Sequence, residues 1–409
     1  MLGVGKNGGA GPSVNGQPGS YVVGHGDHYP TTPHHASSYC PPSPKYCGWG
    51  DWFNNKKPNH WTLYGALIGG PKTAVDNIDN DRNDYVTNEV SLDYNCGFTG
   101  LLAAMMSDEQ EPPTTLEPPT TTLEPPTTRA PATTTPDPAD CSAGTGKPPR
   151  NPENSQVNAD DLSNGPDYKN ALTKSLLFYD SQMSGKLPSW NGVPWRGDSG
   201  LRDGCEAGYD LTGGFYDAGD FIKFHFPQSF ALTVLGWGMI EFKDGYVAAG
   251  EWEHIQNLFK WGVDHFKKCH AKDHPLYPNI FFGQVGHGET DHSVIGRPEE
   301  MTMWRPAYEI SSQKPGSELA AGAAVVFAIG AYHNARENGN SDPEAVELLK
   351  RAKELLAFAV NYKVRSFNYG REVFRWCSCV YCLMRNSGEM SIGRTNLTLN
   401  ISKLNSFQT

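Results

Sequence analysis

Residues 111–138 read EPPTTLEPPTTTLEPPTTRAPATTTPDP, and this stretch is the clearest expected domain boundary in the chain. Proline supplies no backbone donor, and the segment carries too few apolar side chains to bury. The unit EPPTT occurs three times, which predicts an extended linker. Threonine beside proline is also the composition of O-glycosylated stalks. With its flanks the linker takes residues 107–160 and parts two ordered blocks, 1–106 and 161–363, the second followed by a tail at 364–409.

Composition narrows the function. A chain of 409 residues, 38% hydrophobic and 19% charged, has material for two or three packed domains. The net charge is -11 and there is no Lys/Arg run to grip a phosphate backbone, so no nucleic-acid partner is expected. No apolar run reaches the length of a membrane span, so no membrane partner is expected either. The ten Trp suit a protein that stacks on flat sugar faces, and equally an ordinary core. The start, MLGVGKNGG, has no apolar run and is not a signal peptide; the expectation is that the chain begins inside a larger protein. Gly3, Gly5 and Gly8 match a dinucleotide fingerprint by letter, but no strand precedes them and no helix follows.

Cysteine gives two further readings. Cys40 and Cys47 are close enough to bridge across a loop, as in secreted proteins. Cys377, Cys379 and Cys382 lack a matching second knuckle of Cys or His, so no metal is assigned to them.

Periodicity predicts helices in both blocks. Val90, Tyr94, Phe98, Leu101, Leu102 and Met105 recur at helical spacing, with Glu89 expected at that helix's start. Tyr168, Leu172, Ser175, Leu176, Tyr179 and Met183 form one apolar face; Trp252, Ile255, Leu258, Phe259, Val263 and Phe266 form another. Glu318 to Arg336 reads as a buried, Ala-rich helix. Asp342-Pro343 opens a last helix carrying Val346, Leu349, Leu356 and Val360 inward. Helices without clear strands predict an all-α chain.

Two motifs make this specific. DNDRNDYVTNEVSLDYN, at 79–95, and GGFYDAGDFIKFHFPQ, at 213–228, both resemble glycoside hydrolase family nine, the inverting cellulases. The resemblance implies an (α/α)6 barrel, present here as incomplete pieces joined by the Pro/Thr linker. In that family the YDAGD segment comes early and the NEV segment ends the domain. Here the order is reversed. The expected organisation is therefore the C-terminal portion of one cellulase-like domain at 1–106, the linker at 107–160, and the N-terminal portion of a second domain at 161–363. The family's middle section is found in neither block. The tail, 364–409, keeps no helical period, resembles nothing in the family and is expected to be disordered; the Asn396 and Asn400 glycosylation sequons within it carry little weight.

Inverting hydrolysis of a glycosidic bond needs one carboxylic acid to protonate the leaving oxygen and one carboxylate to activate water on the opposite face. The resemblance implies Asp220 as the base and Asp217 as its water-positioning partner, three residues apart on a loop with Gly213, Gly214 and Gly219. It implies Glu89 as the acid, its pKa raised by Asp81, Asp84 and Asp93. His34 of PHH and His292 of GHGETDH are the implied sugar contacts. The family usually has Asp where this chain has Asn80, Arg at Ala36 and a stacking Trp at Ile295. Trp195, Arg196, Asp198, Ser199, Ser317 and Glu318 fall in matching segments read as scaffold. The resemblance places the family's usual calcium-binding loop in the missing middle section, so no cofactor or metal is assigned to this chain.

Three readings follow. The chain is a piece of a secreted tandem endo-β-1,4-glucanase acting on a β-1,4-glucan, extracellular, with neighbouring catalytic domains in a longer protein and little activity by itself. Alternatively the order is a functional permutation in which the two blocks dock and join Glu89 to Asp220. A third reading is a non-catalytic glycan-binding protein.

Overall fold

The computed structural model describes residues 19–26, 28–71, 80–108, 167–272 and 279–362. The repeated linker unit, the tail, the cysteines at 377–382 and the glycines at 3–8 lie outside them. The chain divides into two compact units. One runs to Cys269 and adds Gln284–Tyr308; the other comprises His270–Gly283 and the chain from Glu309.

The first unit holds α1 (Ala36–Tyr39), α2 (Trp49–Asn54), α3 (Leu92–Asp108), α4 (Tyr168–Gln182), α5 (His225–Glu241), α6 (Lys243–Ala249), α7 (Trp252–Cys269) and α8 (Gly288–His292). Helix α3 packs against α4, α5 and α6. The block before the linker therefore shares a core with the block after it. Asp167 caps α4 by accepting the Asn170 N–H at 2.8 Å. Every α4 side chain from Leu172 to Gln182 except Thr173 is buried, so this helix sits inside the unit. Helix α7 is amphipathic and buries Ile255, Leu258, Phe259, Val263 and Phe266, the face the periodicity predicts. Each such side chain contributes about 1.5–3 kcal/mol on burial.

Two predicted faces shift. On α3, Tyr94 and Leu101 are exposed, while Cys96, Phe98, Leu102, Ala103 and Met106 are buried. The helix begins at Leu92, so Glu89 lies before it, in extended chain that forms a parallel bridge with His34. Its environment is set by that bridge and not by a helix N-terminus.

The second unit holds α9 (Ser317–Asn338) and α10 (Pro343–Asn361), packed on one another. Asp342 caps α10, its Oδ1 accepting the Ala345 N–H at 2.8 Å, with Pro343 in the first turn as predicted. The inward face is Ala345, Leu348, Ala352, Leu355, Phe358 and Ala359; Val346 and Val360 are exposed. This face is one residue out of phase with the expected one, because the small Ala345, Ala352 and Ala359 do part of the packing.

Short strands also occur where none were expected: β1 (Lys223–Phe224), β2 (His270–Ala271), β3 (Ile280–Val285) and β4 (Ala307–Ile310). Within the first unit, Lys223 pairs with Val285 and Phe224 with Gln284, antiparallel. This pairing anchors the end of the DAGD loop.

Candidate active site

All five expected site residues lie in the first unit: His34, Glu89, Asp217, Asp220 and His292. The expectation that Glu89 and Asp220 serve separate domains does not describe this structure, which brings both into one electrostatic neighbourhood.

The YDAGD loop is held by backbone. Tyr216 N–H donates to Gln182 O at 2.8 Å, Asp217 N–H to Ile222 O at 3.0 Å, and Ala36 N–H to Gly219 O at 2.8 Å. Gly213 and Gly214 lead into it at φ of 93° and 72°, a region that disfavours side chains. Gly219 is required for a different reason: a Cβ there would collide with the His34 carbonyl oxygen. The glycine lets the histidine segment and the acidic loop meet backbone to backbone.

The acidic groups differ in environment. Glu89 is half-buried, and its carboxyl is pushed up to about 7. Desolvation is the main cause and the Asp220 charge the next; a hydrogen bond from the Gly219 N–H and the His292 charge oppose them. Asp93 contributes only slightly, and Asp81 and Asp84, expected to crowd Glu89, have other partners. Asp81 accepts Lys56 Nζ at 2.8 Å, and Asp84 accepts the Thr87 hydroxyl at 2.6 Å. The Asp217 carboxyl is raised well above the usual range by burial, then by Asp93, Asp220 and Glu89. Its Oδ1 is sealed from water and has no hydrogen-bond partner among the described residues. Asp220 Oδ2 lies 2.8 Å from His292 Nε2, and this hydrogen bond raises the histidine's pKa.

His34 donates Nδ1–H to the Arg82 carbonyl at 2.6 Å, which leaves the lone pair of the neutral ring on Nε2. Burial lowers its pKa, so the neutral form prevails. Trp52 and Tyr85 meet the ring edge-on at 5.1 and 6.2 Å. Arg82 itself is buried, with its guanidinium 4.5 Å from the Tyr39 ring and its Nε on Asn59 Oδ1.

Supporting residues that motif reading missed complete the site. His35 Nδ1 caps α1 by accepting the Ser38 N–H, and its Nε2–H donates to Gln182 Oε1 at 2.8 Å. Burial holds this ring near a pKa of about 3 and therefore neutral. Gln182 Nε2 donates to the carbonyls of Tyr216 at 3.3 Å and Ala218 at 2.7 Å. Asp291, the neighbour of His292, accepts the Phe221 N–H at 3.0 Å, and burial with the Asp220 charge raises it to about 7. Behind the loop, Asp203 binds both Lys223 Nζ at 2.7 Å and Arg305 Nε at 2.8 Å, all three buried or nearly so. Arg305 also donates to Phe221 O at 2.8 Å. No short-range pattern marks Gln182 or Asp203; they are visible only once the segments are in contact.

The three departures from the family pattern take packing roles. Asn80 Oδ1 accepts Thr31 N–H, Thr32 N–H and the Thr32 hydroxyl at 2.8–3.0 Å, tying loops together. Ala36 is buried beside Tyr216 and Phe221, and Ile295 packs against that cluster. In the scaffold segments, Asp198 Oδ1 accepts the Leu187 N–H at 2.9 Å, and Arg196 pairs with Glu299 at 2.9 Å. Cys40 and Cys47 form the expected disulfide.

The comparisons with known proteins agree with the motifs. The sequence pattern of Glycosyl hydrolase family 9 matches residues 14–102 and 168–405, more than half of the chain. The chain belongs to that family. The match runs into the tail that the sequence reading set apart. Endoglucanase 22 of Oryza sativa subsp. japonica is 44% identical over 198 residues, covering 48% of this chain and 34% of the relative. Endoglucanase 4 of Bacillus sp. (strain KSM-522) is 43% identical over 196 residues, 48% of this chain and 30% of that one. An endoglucanase structure from the termite Nasutitermes takasagoensis superposes with a TM-score of 0.47 at 37% identity, covering 59% of this chain and 54% of that chain. The chain thus aligns with about a third of the length of the curated relatives it matches.

Proposed function

We propose that this chain carries the acid and base for inverting hydrolysis of internal β-1,4-glucosidic bonds. The observation that carries the reading is the Glu89 carboxyl, pushed to about 7 beside Asp220, with Asp220 itself hydrogen-bonded to His292. A carboxyl that keeps its proton near neutrality is suited to protonate a leaving glycosidic oxygen. Asp220 takes the base role and removes a proton from water; Asp217 positions that water. His34, through Nε2, and His292 contact glucosyl hydroxyls. The substrate is a cellulose-type glucan, and the protein acts outside the cell, consistent with the Cys40–Cys47 disulfide. Neighbouring catalytic domains of a longer chain remain part of the proposal.

Turnover is low in this reading. Ala36 and Ile295 fill apolar packing positions where the family presents Arg and Trp to the sugar. The test is hydrolysis of amorphous cellulose by the full chain, with the anomeric configuration of the first product followed by NMR. Slow release of inverted product that disappears in Asp220→Ala and Glu89→Gln supports the proposal. Retained configuration, or turnover indifferent to both substitutions, overturns it. Binding to cellulose with no release by the parent chain selects the non-catalytic glycan-binding reading.

A further inference from the structure

His225, His265 and Cys269 meet in the interior of the first unit, all three buried. His225 opens α5, five residues after Asp220. His265 and Cys269 lie one turn apart in the last turns of α7 and face the same way. One potential ligand atom from each falls within 4.8 Å of the other two. We infer that this cluster binds a thiophilic divalent cation of the zinc type through these three side chains, at a site distinct from the acidic cleft.

The spacing supports this. Zinc takes nitrogen at about 2.0–2.1 Å and sulfur at about 2.3 Å, so a tetrahedral ion separates ligand nitrogens by roughly 3.3 Å and a nitrogen from sulfur by roughly 3.6 Å. Here the two Nε2 atoms are 2.9 Å apart, Cys269 Sγ is 3.5 Å from His265 Nε2, and it is 4.0 Å from His225 Nε2. Movements of a few tenths of an ångström bring the set into register. Two imidazoles and a thiolate match zinc's ligand preference, whereas calcium and magnesium require oxygen.

The outer contacts also fit. His265 Nδ1–H donates to the Thr212 carbonyl at 3.3 Å, which leaves the Nε2 lone pair pointing at the cluster. Without metal, His225 Nε2–H donates to that lone pair. With metal, the His225 ring proton moves to Nδ1 and Cys269 loses its thiol proton, so one proton leaves per ion bound. Two ammonium groups sit nearby, and both are already paired: Lys223 with Asp203 at 2.7 Å and Lys268 with Asp210 at 3.0 Å. The loop that leads to the acidic residues rests on this cluster, since a Cβ at Gly214 would collide with the His265 ring. A bound ion therefore ties α5, α7 and that loop together.

The test uses the full chain, stripped of metal and titrated with Co2+. The expected result is one strong near-ultraviolet thiolate-to-cobalt band per chain, displaced by Zn2+. It is lost in Cys269→Ser and His265→Gln and kept in Cys379→Ser. The same titration releases about one proton per ion, the thiol proton. X-ray absorption of the zinc-loaded parent shows one sulfur and two nitrogens from protein; this needs no variant to fold. Absence of a band in the parent, a band that survives Cys269→Ser, or a shell with two or more sulfurs overturns the site.

Discussion

The backbone N–H of Leu92 donates to the carbonyl oxygen of Asp217 at 3.0 Å, and the Leu92 carbonyl in turn accepts the buried Tyr179 hydroxyl at 2.9 Å. Both backbone groups at the start of α3 are thus satisfied by residues from beyond the linker. Lys174 Nζ does the same for Gly24 O at 2.7 Å. Separating the blocks would leave these buried groups unpaired, at about 1–3 kcal/mol each, and expose the faces α3 shares with α4, α5 and α6. Proteolysis within residues 109–166 is therefore expected to leave the two halves associated, co-eluting on size exclusion. Halves that separate without denaturant would show that they belong to different domains, as the motif order suggests.

Glu89, as the proposed acid, is expected to set the pH dependence of cleavage. The proposed acid works only while protonated, so cleavage should fall as pH rises through about 7, roughly tenfold per unit beyond it. Glu89→Gln should lose about 100-fold or more below pH 7, with the gap narrowing above it as the parent's own carboxyl loses its proton. Stability gives an independent reading. The folded-state pKa lies above the ordinary value of 4.5, so folding favours the protonated form. The associated stability is complete below about 4.5 and is lost as pH rises through about 7. Glu89→Gln should therefore raise Tm relative to the parent above pH 7 and change it little near pH 4. An equal shift at both pH values would mean that burial does not perturb this carboxyl.

How much of this was legible in the sequence depends on range. Helix α7 was readable because its apolar face is large and regular, from Ile255 to Phe266. The faces of α3 and α10 are less legible because Ala103, Ala345 and Ala352 do the packing while Tyr94 and Val346 face water. The acidic residues were readable from local motifs. Their meeting was not, since Gly219 against His34 and Leu92 against Asp217 are contacts across more than a hundred residues of sequence. Hydrophobic period does not report such pairs.

His292 is expected to do more than touch sugar. Its Nε2 hydrogen bond to Asp220 at 2.8 Å holds the proposed base in place while remaining accessible from solvent. His292→Gln keeps a donor and should reduce kcat only about threefold to tenfold. His292→Ala removes it and should reduce kcat by about tenfold to 100-fold, the size of a lost charge-assisted hydrogen bond of 1.5–3 kcal/mol. Rate measurements at saturating glucan distinguish this from a pure binding role, in which KM alone would rise.

Gln182 braces the acidic loop of the candidate site. It joins three segments: it accepts from His35 Nε2, and it donates to Tyr216 O and Ala218 O on either side of Asp217. Burial keeps His35 neutral, so Nδ1 can accept the Ser38 N–H, and the single ring proton sits on Nε2 as the donor to Gln182. Gln182→Leu preserves volume but strands these buried polar groups, at an expected cost of about 2–4 kcal/mol in unfolding free energy. Gln182→Glu keeps the acceptor for His35 and removes the amide donors, so it should disturb the acidic loop more than the fold. The expected signature is a larger fractional loss of cellulose hydrolysis than of Tm for Gln182→Glu, and a loss of both for Gln182→Leu. A Gln182→Leu variant as stable and active as the parent would mean that the His35–Gln182 contact does not hold the acidic loop in solution.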